Sequence, residues 1–344
     1  MDEAKKTVGQ ADAGNDERRG KIMRFVKKWG TLLVTVVTFV FFSIVNWDDS
    51  TNSSLFLTTD NVITILRSIS IMAIIAIGLT YSLAVNGMDL AVGATANLAD
   101  TFVMTMFVWY SMSIGASIAL TILACLTVAV VNSILIVRLK IPDMIATLAV
   151  MFMYQGVALT YSNGGAITER MVRPDGIHAE GLVPAAFKTL GIEPNLVILM
   201  LVVVAFAFFF LNYTKYGRYM YAIGGNPEAA KLSGIPVNRY KILAYLMSAA
   251  FSAIGGICIA ARVGTAQVSA GDAFLMPAVA AAFIGFSVGG AGKPNAFGTL
   301  IGAVLVGILE NGLIMMAVPY YAMNIIKGLV LALALAMTYS IAKK

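Results

Sequence analysis

The sequence predicts an all-α, polytopic membrane protein, and three observations predict it. Of its 344 residues, 59% are hydrophobic and only 12% are charged, whereas soluble domains hold about a quarter charged residues. Mean hydropathy is +0.84. Apolar runs of spanning or nearly spanning length follow one another at 30–46, 62–85, 90–110, 114–137, 143–161, 195–212, 242–261, 273–289, 297–318 and 322–341. Lipid offers the backbone no water, so each run has to close its hydrogen bonds internally, as a helix. The gaps leave no room for a second folded unit. One membrane domain over 29–344 is expected, with about ten transmembrane helices; 143–161 and 273–289 are short enough to be broken or re-entrant.

Charge sets the expected topology. Residues 1–28 form a polar, basic tail, expected to be disordered and cytoplasmic, with no early apolar core of a cleaved signal. Lys21, Arg24, Lys27 and Lys28 lead into the first run. Loop 46–60 holds Asp48, Asp49 and Asp60 without a base, whereas Arg138 and Lys140 follow the fourth run. Loop 213–241 holds Lys215, Arg218, Lys231, Arg239 and Lys241 against the acid Glu228, and the chain ends in Lys343-Lys344. The positive-inside rule places both termini and loop 213–241 in the cytoplasm, gives an even number of spans, and puts loop 162–194 outside. It also accounts for the net charge of +6, so no nucleic-acid partner is expected. Turn signals in 162–194 (Gly164-Gly165, Pro174-Asp175-Gly176, Pro184) leave room for a short helix over 182–190; the loop fits a docking surface for an external protein or a passive lid.

Within 213–241 the local physics describes a short capped helix. Asn226 is a good N-cap, Pro227 suits the first turn, Glu228 complements the positive end of the dipole, and Gly234 ends a helix of about two turns. Ala229 and Leu232 fall on one face, with Ile235 and Val237 just beyond. A helix this short needs a partner to hold it, though an ordinary helix lying on the membrane surface has the same pattern.

Inside the membrane the polar residues are few. Asn86-Gly87-Met88-Asp89-Leu90-Ala91-Val92-Gly93 puts a carboxylate in a tight break. Asp89 is expected to cap a helix beginning at Leu90, a structural role favoured over direct solute contact, while Gly87 and Gly93 permit a sharp turn and close approach. Asn97 and Asp100 form a polar stripe further along. Glu310 and Asn311 form a second polar spot and Lys327 a third; Lys327 with Glu310 or Asp100 is a candidate neutralising pair, and equally a snorkelling lysine. Tyr154 and Gln155, near Thr80, Tyr81 and Asn163 in kind, suit a neutral polyhydroxylated ligand, although interfacial aromatic belts explain most single tyrosines. A faint echo relates Gly87–Ala94 to Gly285–Ala291, as in the paired interruptions of transporter repeats.

Enzyme signals are missing. His178 is the lone histidine, Cys125 and Cys258 sit in apolar runs, and Gly289–Pro294 lacks the Walker A spacing. No catalytic residue, metal or cofactor is expected on this chain.

These residues resemble the permeases of bacterial ribose/galactose/xylose-type ABC transporters, related more loosely to branched-chain amino-acid permeases. The resemblance rests on Gly-Arg-Tyr-Met-Tyr-Ala-Ile-Gly-Gly-Asn-Pro-Glu-Ala-Ala-Lys-Leu-Ser-Gly-Ile (217–235), Gly255-Gly256-Ile257, Phe297–Ala303, Asn311-Gly312-Leu313, Lys327-Gly328-Leu329, Met88–Gly93 and Ile141–Leu148. It implies two pseudo-repeated halves, a second permease subunit (identical or not), cytoplasmic subunits that bind ATP and Mg, and an extracytoplasmic solute-binding protein, all at the bacterial plasma (inner) membrane. Gly225, Asn226, Pro227, Glu228, Ala229, Ala230, Leu232 and Gly234 would then form the contact with the ATPase. Asp89, Asn97, Asp100, Tyr154, Gln155, Glu310 and Asn311 become pathway candidates for a sugar or similar small polar solute. The chain departs from the family at Asn86, Met88, Ala91, Asp100 and Glu310. An ion-coupled secondary transporter using Asp89, Asp100 and Glu310 is the competing expectation.

Overall fold

Two long antiparallel helices, α2 (Thr59–Ala84) and α10 (Val237–Val263), run through the middle of the molecule. Gly78 lies against Ser248 and Gly255 against Ile75, which fixes their opposite directions. In both, 67% of the most apolar stretch is buried within the protein, but only 33% in α5 (Asp143–Tyr161) and α7 (Asn195–Tyr213). All four are too apolar for water, so the first pair is core and the second faces lipid. The computed structural model describes residues 29–332 other than 50, 51, 174, 287, 289–291, 320, 324, 327, 330 and 331. The tail 1–28, Lys327 and most of the run 322–341 therefore lie outside the described residues.

Around the central pair stand α1 (Trp29–Val45), α3 (Val92–Val108), α4 (Ile114–Ser133, prolonged by a π turn to Arg138), α11 (Asp272–Gly285) and α12 (Ala296–Met315). Among the described residues, six helices are long and apolar enough to cross a membrane, and α1, α3 and α11 are shorter apolar helices. These nine match the first nine apolar runs of the sequence. The expectation for 143–161 needs correction: α5 is one continuous helix of 19 residues. The 14-residue α11 is short, and so is α3 with 17. Among the described residues two short strands, β1 (Trp47–Asp48) and β2 (Ser53–Ser54), pair as a small antiparallel ribbon.

The described core has three clusters that share α10. One joins α2, α7, α11 and α12 to one side of α10; a second joins α3, α4 and α5 to residues such as Ala253, Ile257 and Ala260; a small third sets Tyr245 and Ala249 against Ala129, Ile136 and Ala146. Lipid is as apolar as leucine, so small residues that let backbones approach do much of the packing. Gly256 shows it: a Cβ there would collide with the Ala96 carbonyl oxygen of α3.

Two units of the same construction recur. Helix α2, a break at 85–91 and short α3 make one; α10, a break at 264–271 and short α11 make the other. Because α2 and α10 are antiparallel, the units run in opposite senses, as in inverted-repeat transporters. The expected echo of 87–94 at 285–291 is therefore misplaced. Gly285 ends α11, residues 287 and 289–291 lie outside the described residues, and the counterpart of 85–91 by position in the fold is 264–271.

The long loop 162–194 is tied down by ion pairs and contains helix α6 (Ala185–Lys188), followed by a 3-10 turn, near the helix expected over 182–190. Ile167 bridges to Ala266, Lys188 Nζ meets Glu169 Oε1 at 3.0 Å, and Arg67 forms an ion pair with Glu193. The Lys188 bond and the Val183 amide hold the Glu169 carboxyl below the usual carboxylate range, and Arg67 does the same for Glu193. A depressed carboxyl stabilises fully above its ordinary pKa of about 4.5 and loses that contribution as pH falls through the native value. Protection factors in 162–194, which are corrected for the intrinsic pH dependence of amide exchange, are expected to fall only below pH about 4.5. In Lys188→Met, exchange around Glu169 is expected to be faster already at pH 7, and equal rates there would refute the tie.

Candidate functional site

The helix that sequence placed in 213–241 is present with its caps. Asn226 is extended and its Oδ1 accepts from the Ala229 amide at 3.0 Å; Pro227 opens α9 (Pro227–Leu232), Glu228 lies in the first turn and Lys231 in the last. Gly234, at φ 80°, reverses the chain, and the Ile235 amide returns to the Ala230 carbonyl at 3.0 Å. Ala230 is buried against the main core, whereas Gly225, Glu228, Ala229 and Leu232 are exposed. Leu232 is 89% exposed, a large apolar side chain raised on a polar knob. The face predicted to run on into Ile235 and Val237 divides, because those two are half-buried on the core.

Sequence reasoning missed a second helix there. α8 (Lys215–Gly225) precedes α9, with Thr214 Oγ1 accepting from the Gly217 amide at 3.2 Å. Three glycines and several tyrosines lower its propensity and hid it, although Gly217, Met220 and Ile223, spaced by three, form its buried stripe. Tyr221 Oη donates to the Pro294 carbonyl at 2.8 Å, and burial pushes its pKa up to about 12, which keeps the phenol a donor. Gly224 has no room for a Cβ, which would fall on the Ala84 carbonyl oxygen at the end of α2. The knob is thus rigidly joined to the bundle.

The intramembrane polar residues are distributed over two places. Asp89 is buried in the break, where its Oδ1 accepts from the Ala91 amide at 3.0 Å and from Asn132 Nδ2 at 3.5 Å. It does not cap a helix beginning at Leu90: α3 begins at Val92, Ala91 is its N-cap without a side-chain bond, and Asp89 closes a turn one step earlier. The turn's positive φ falls on Asn86 (57°) instead of Gly87. Gly93 is in close approach, as expected, to Leu275 and Gly271 at the start of α11.

Asn97 and Asp100 face the second break. Asp100 Oδ2 accepts from the Gln267 amide at 3.1 Å, so its observed partner is a peptide N–H; Lys327 lies outside the described residues. Asn97 Oδ1 and Asp100 Oδ1 are buried without a hydrogen-bond partner among the described residues. Gln155 Nε2 donates to Asp272 Oδ1 at 2.9 Å, and Tyr154 Oη to Thr127 Oγ1 at 2.9 Å, so both are engaged within the chain. Asn311 Nδ2 reaches Asn61 Oδ1 at 2.9 Å at the opposite end of the bundle from α9, and neighbouring Glu310 is half-buried. Asp89, Asn97, Asp100 and Gln155 thus cluster along α3 and the two breaks, and Glu310 and Asn311 stand apart. Among the described residues no group of three or more His, Cys, Asp or Glu could hold a metal ion.

A helical, multi-pass membrane protein with paired broken units and a capped surface helix has the architecture of a transport permease. The chain belongs to the permease-component family of the branched-chain amino acid transport system, whose pattern matches residues 61–335. It is 32% identical to the ribose import permease protein of Haemophilus influenzae over 334 residues, 96% of this chain and 99% of the relative. It is 33% identical to the ribose import permease protein of Escherichia coli K12 over 285 residues (83% and 87%), and 27% identical to a xylose transport system permease protein of H. influenzae over 366 (91% and 96%). No solved structure matches. The chain is a transport subunit rather than an enzyme.

Proposed function

We propose that this chain is the membrane-spanning subunit of a bacterial ABC importer for a sugar or similar small polar solute. Both termini and α9 face the cytoplasm, and the functional unit contains two permease subunits, ATP-binding subunits that hold ATP and Mg, and an extracytoplasmic solute-binding protein. The observation that supports this most is α9 itself: a capped, exposed helix presenting Leu232 amid the basic loops, fixed to α2 through α8. Nucleotide state on the partner would bias two arrangements of the bundle through that knob. The ribose and xylose permeases among its relatives support a monosaccharide as solute.

The ion-coupled alternative needs carboxylates that gather a cation. Asp100 instead takes a peptide N–H, a donor that repels cations, and Asp89 takes the Ala91 amide. Proteoliposomes decide between them. Labelled ribose or xylose is expected to enter only with the ATPase, the binding protein and ATP present, and ionophores are expected to leave the rate unchanged. Uptake by this chain alone under a proton or sodium gradient would overturn the proposal.

A further inference from the structure

The first amides of the break before α3, at Val85, Asn86 and Gly87, donate back to the Ser82 and Leu83 carbonyls that end α2, and four helices grip the break from outside. Asp143, the first residue of α5, accepts from Tyr245 Oη at 2.8 Å and pairs with Lys241 Nζ at 3.3 Å. Lys241 and Tyr245 are four apart, on one face of the first turns of α10. The side chains of the ion pair are 17% and 22% exposed, so water screens it little. Gly87 rests on this cluster: a Cβ would come within 2.6 Å of both Asp143 Oδ2 and Tyr245 Oη. Thr147, one turn along α5, directs its hydroxyl to the Met88 carbonyl at 3.0 Å. Asn132 of α4, next to the π turn, reaches Asp89, and Gly224 of α8 presses on Ala84 just before the break.

The chain between α9 and α10 is only 233–236, so any displacement of α9 reaches Lys241 and Tyr245 within the first turns of α10. We infer that Asp143, Lys241 and Tyr245 are positioning residues that clamp residues 85–91 and make the position of Asp89 follow α9. This rests on the reading of α9 as the helix that meets the ATPase.

The test is thiol accessibility in lipid nanodiscs, with single cysteines at half-buried Met88 in the break and at half-buried Ile114 at the far end; native Cys125 and Cys258 are buried and stay. Asp143→Asn and Lys241→Met are expected to speed maleimide labelling at 88 about tenfold, equivalent to about 1.4 kcal/mol in local opening, and to leave 114 unchanged. The exchange variant Asp143→Lys/Lys241→Asp is expected to restore slow labelling. Unchanged labelling at 88, an equal rise at both sites, or an exchange variant as fast as the singles would overturn the clamp. In the complex with the ATPase, wild-type labelling at 88 is expected to differ between nucleotide-free and vanadate-trapped states. The clamp variants are expected to lose that difference while retaining the ATPase; a clamp variant that keeps it overturns the inference. If Leu232→Asp binds the ATPase as tightly as wild type, the reading of α9 fails, whereas the clamp is still decided by labelling of the chain alone.

Discussion

Replacing Leu232 with Asp is expected to abolish coupling while leaving the protein folded and inserted. The side chain is 89% exposed, so the fold loses almost nothing by the change. The assembled machine loses an apolar anchor and gains a charge that has to be desolvated at the interface, a change of hot-spot size worth about 2 kcal/mol or about 30-fold in affinity. Glu228→Arg reverses the charge at the positive end of α9, weakening the helix itself as well as its contact. Both variants should reach the membrane at wild-type level and give nucleotide-driven uptake near background. Full uptake in both would remove α9 from the mechanism.

Gly256→Val is expected to damage the bundle severely. The added Cβ meets the Ala96 carbonyl oxygen and the Ala99 side chain, backbone and packed helix that cannot swing aside, so α3 has to part from α10. Overpacking of this kind costs about 3 kcal/mol, a large share of the stability of a marginal fold. Gly156→Val on α5 is the matched control, since nothing lies within 4 Å of a Cβ there. The first variant should lose its monodisperse fraction in detergent and melt well below wild type, and the second should track wild type. Equal melting of the two would mean that α3 and α10 are not packed backbone to backbone.

How much of this was legible depends on whether a signal is local. Hydropathy located nine of the described helices, because burial in lipid writes itself into every residue of a span. The α9 cap was readable to the residue, since Asn226, Pro227, Glu228 and Gly234 act within one turn of themselves. α8 was not, because its glycines serve contacts with Leu211 and Ala84 that lie far from any propensity. Asp100 was singled out as part of an intramembrane polar stripe; the structure buries it, and its partner, the Gln267 amide, is 167 residues away. Asp143 stood in a matched stretch without drawing notice. Its meaning comes from Lys241 and Tyr245 across the bundle, and no single-sequence pattern joins them. Glycine spacing misled once, at 285–291, where the fold repeats helix lengths and break positions rather than letters.

The claim on which the functional account depends is that α9 projects into the cytoplasm and seats on an ATP-binding subunit. A photo-crosslinking residue in place of Leu232, activated in intact cells, measures this directly. The account predicts a covalent adduct with a cytoplasmic ATP-binding protein. It also predicts that Leu232→Cys resists membrane-impermeant maleimide until the cells are opened. Labelling of that cysteine from outside intact cells, or an adduct only with extracytoplasmic protein, would contradict it.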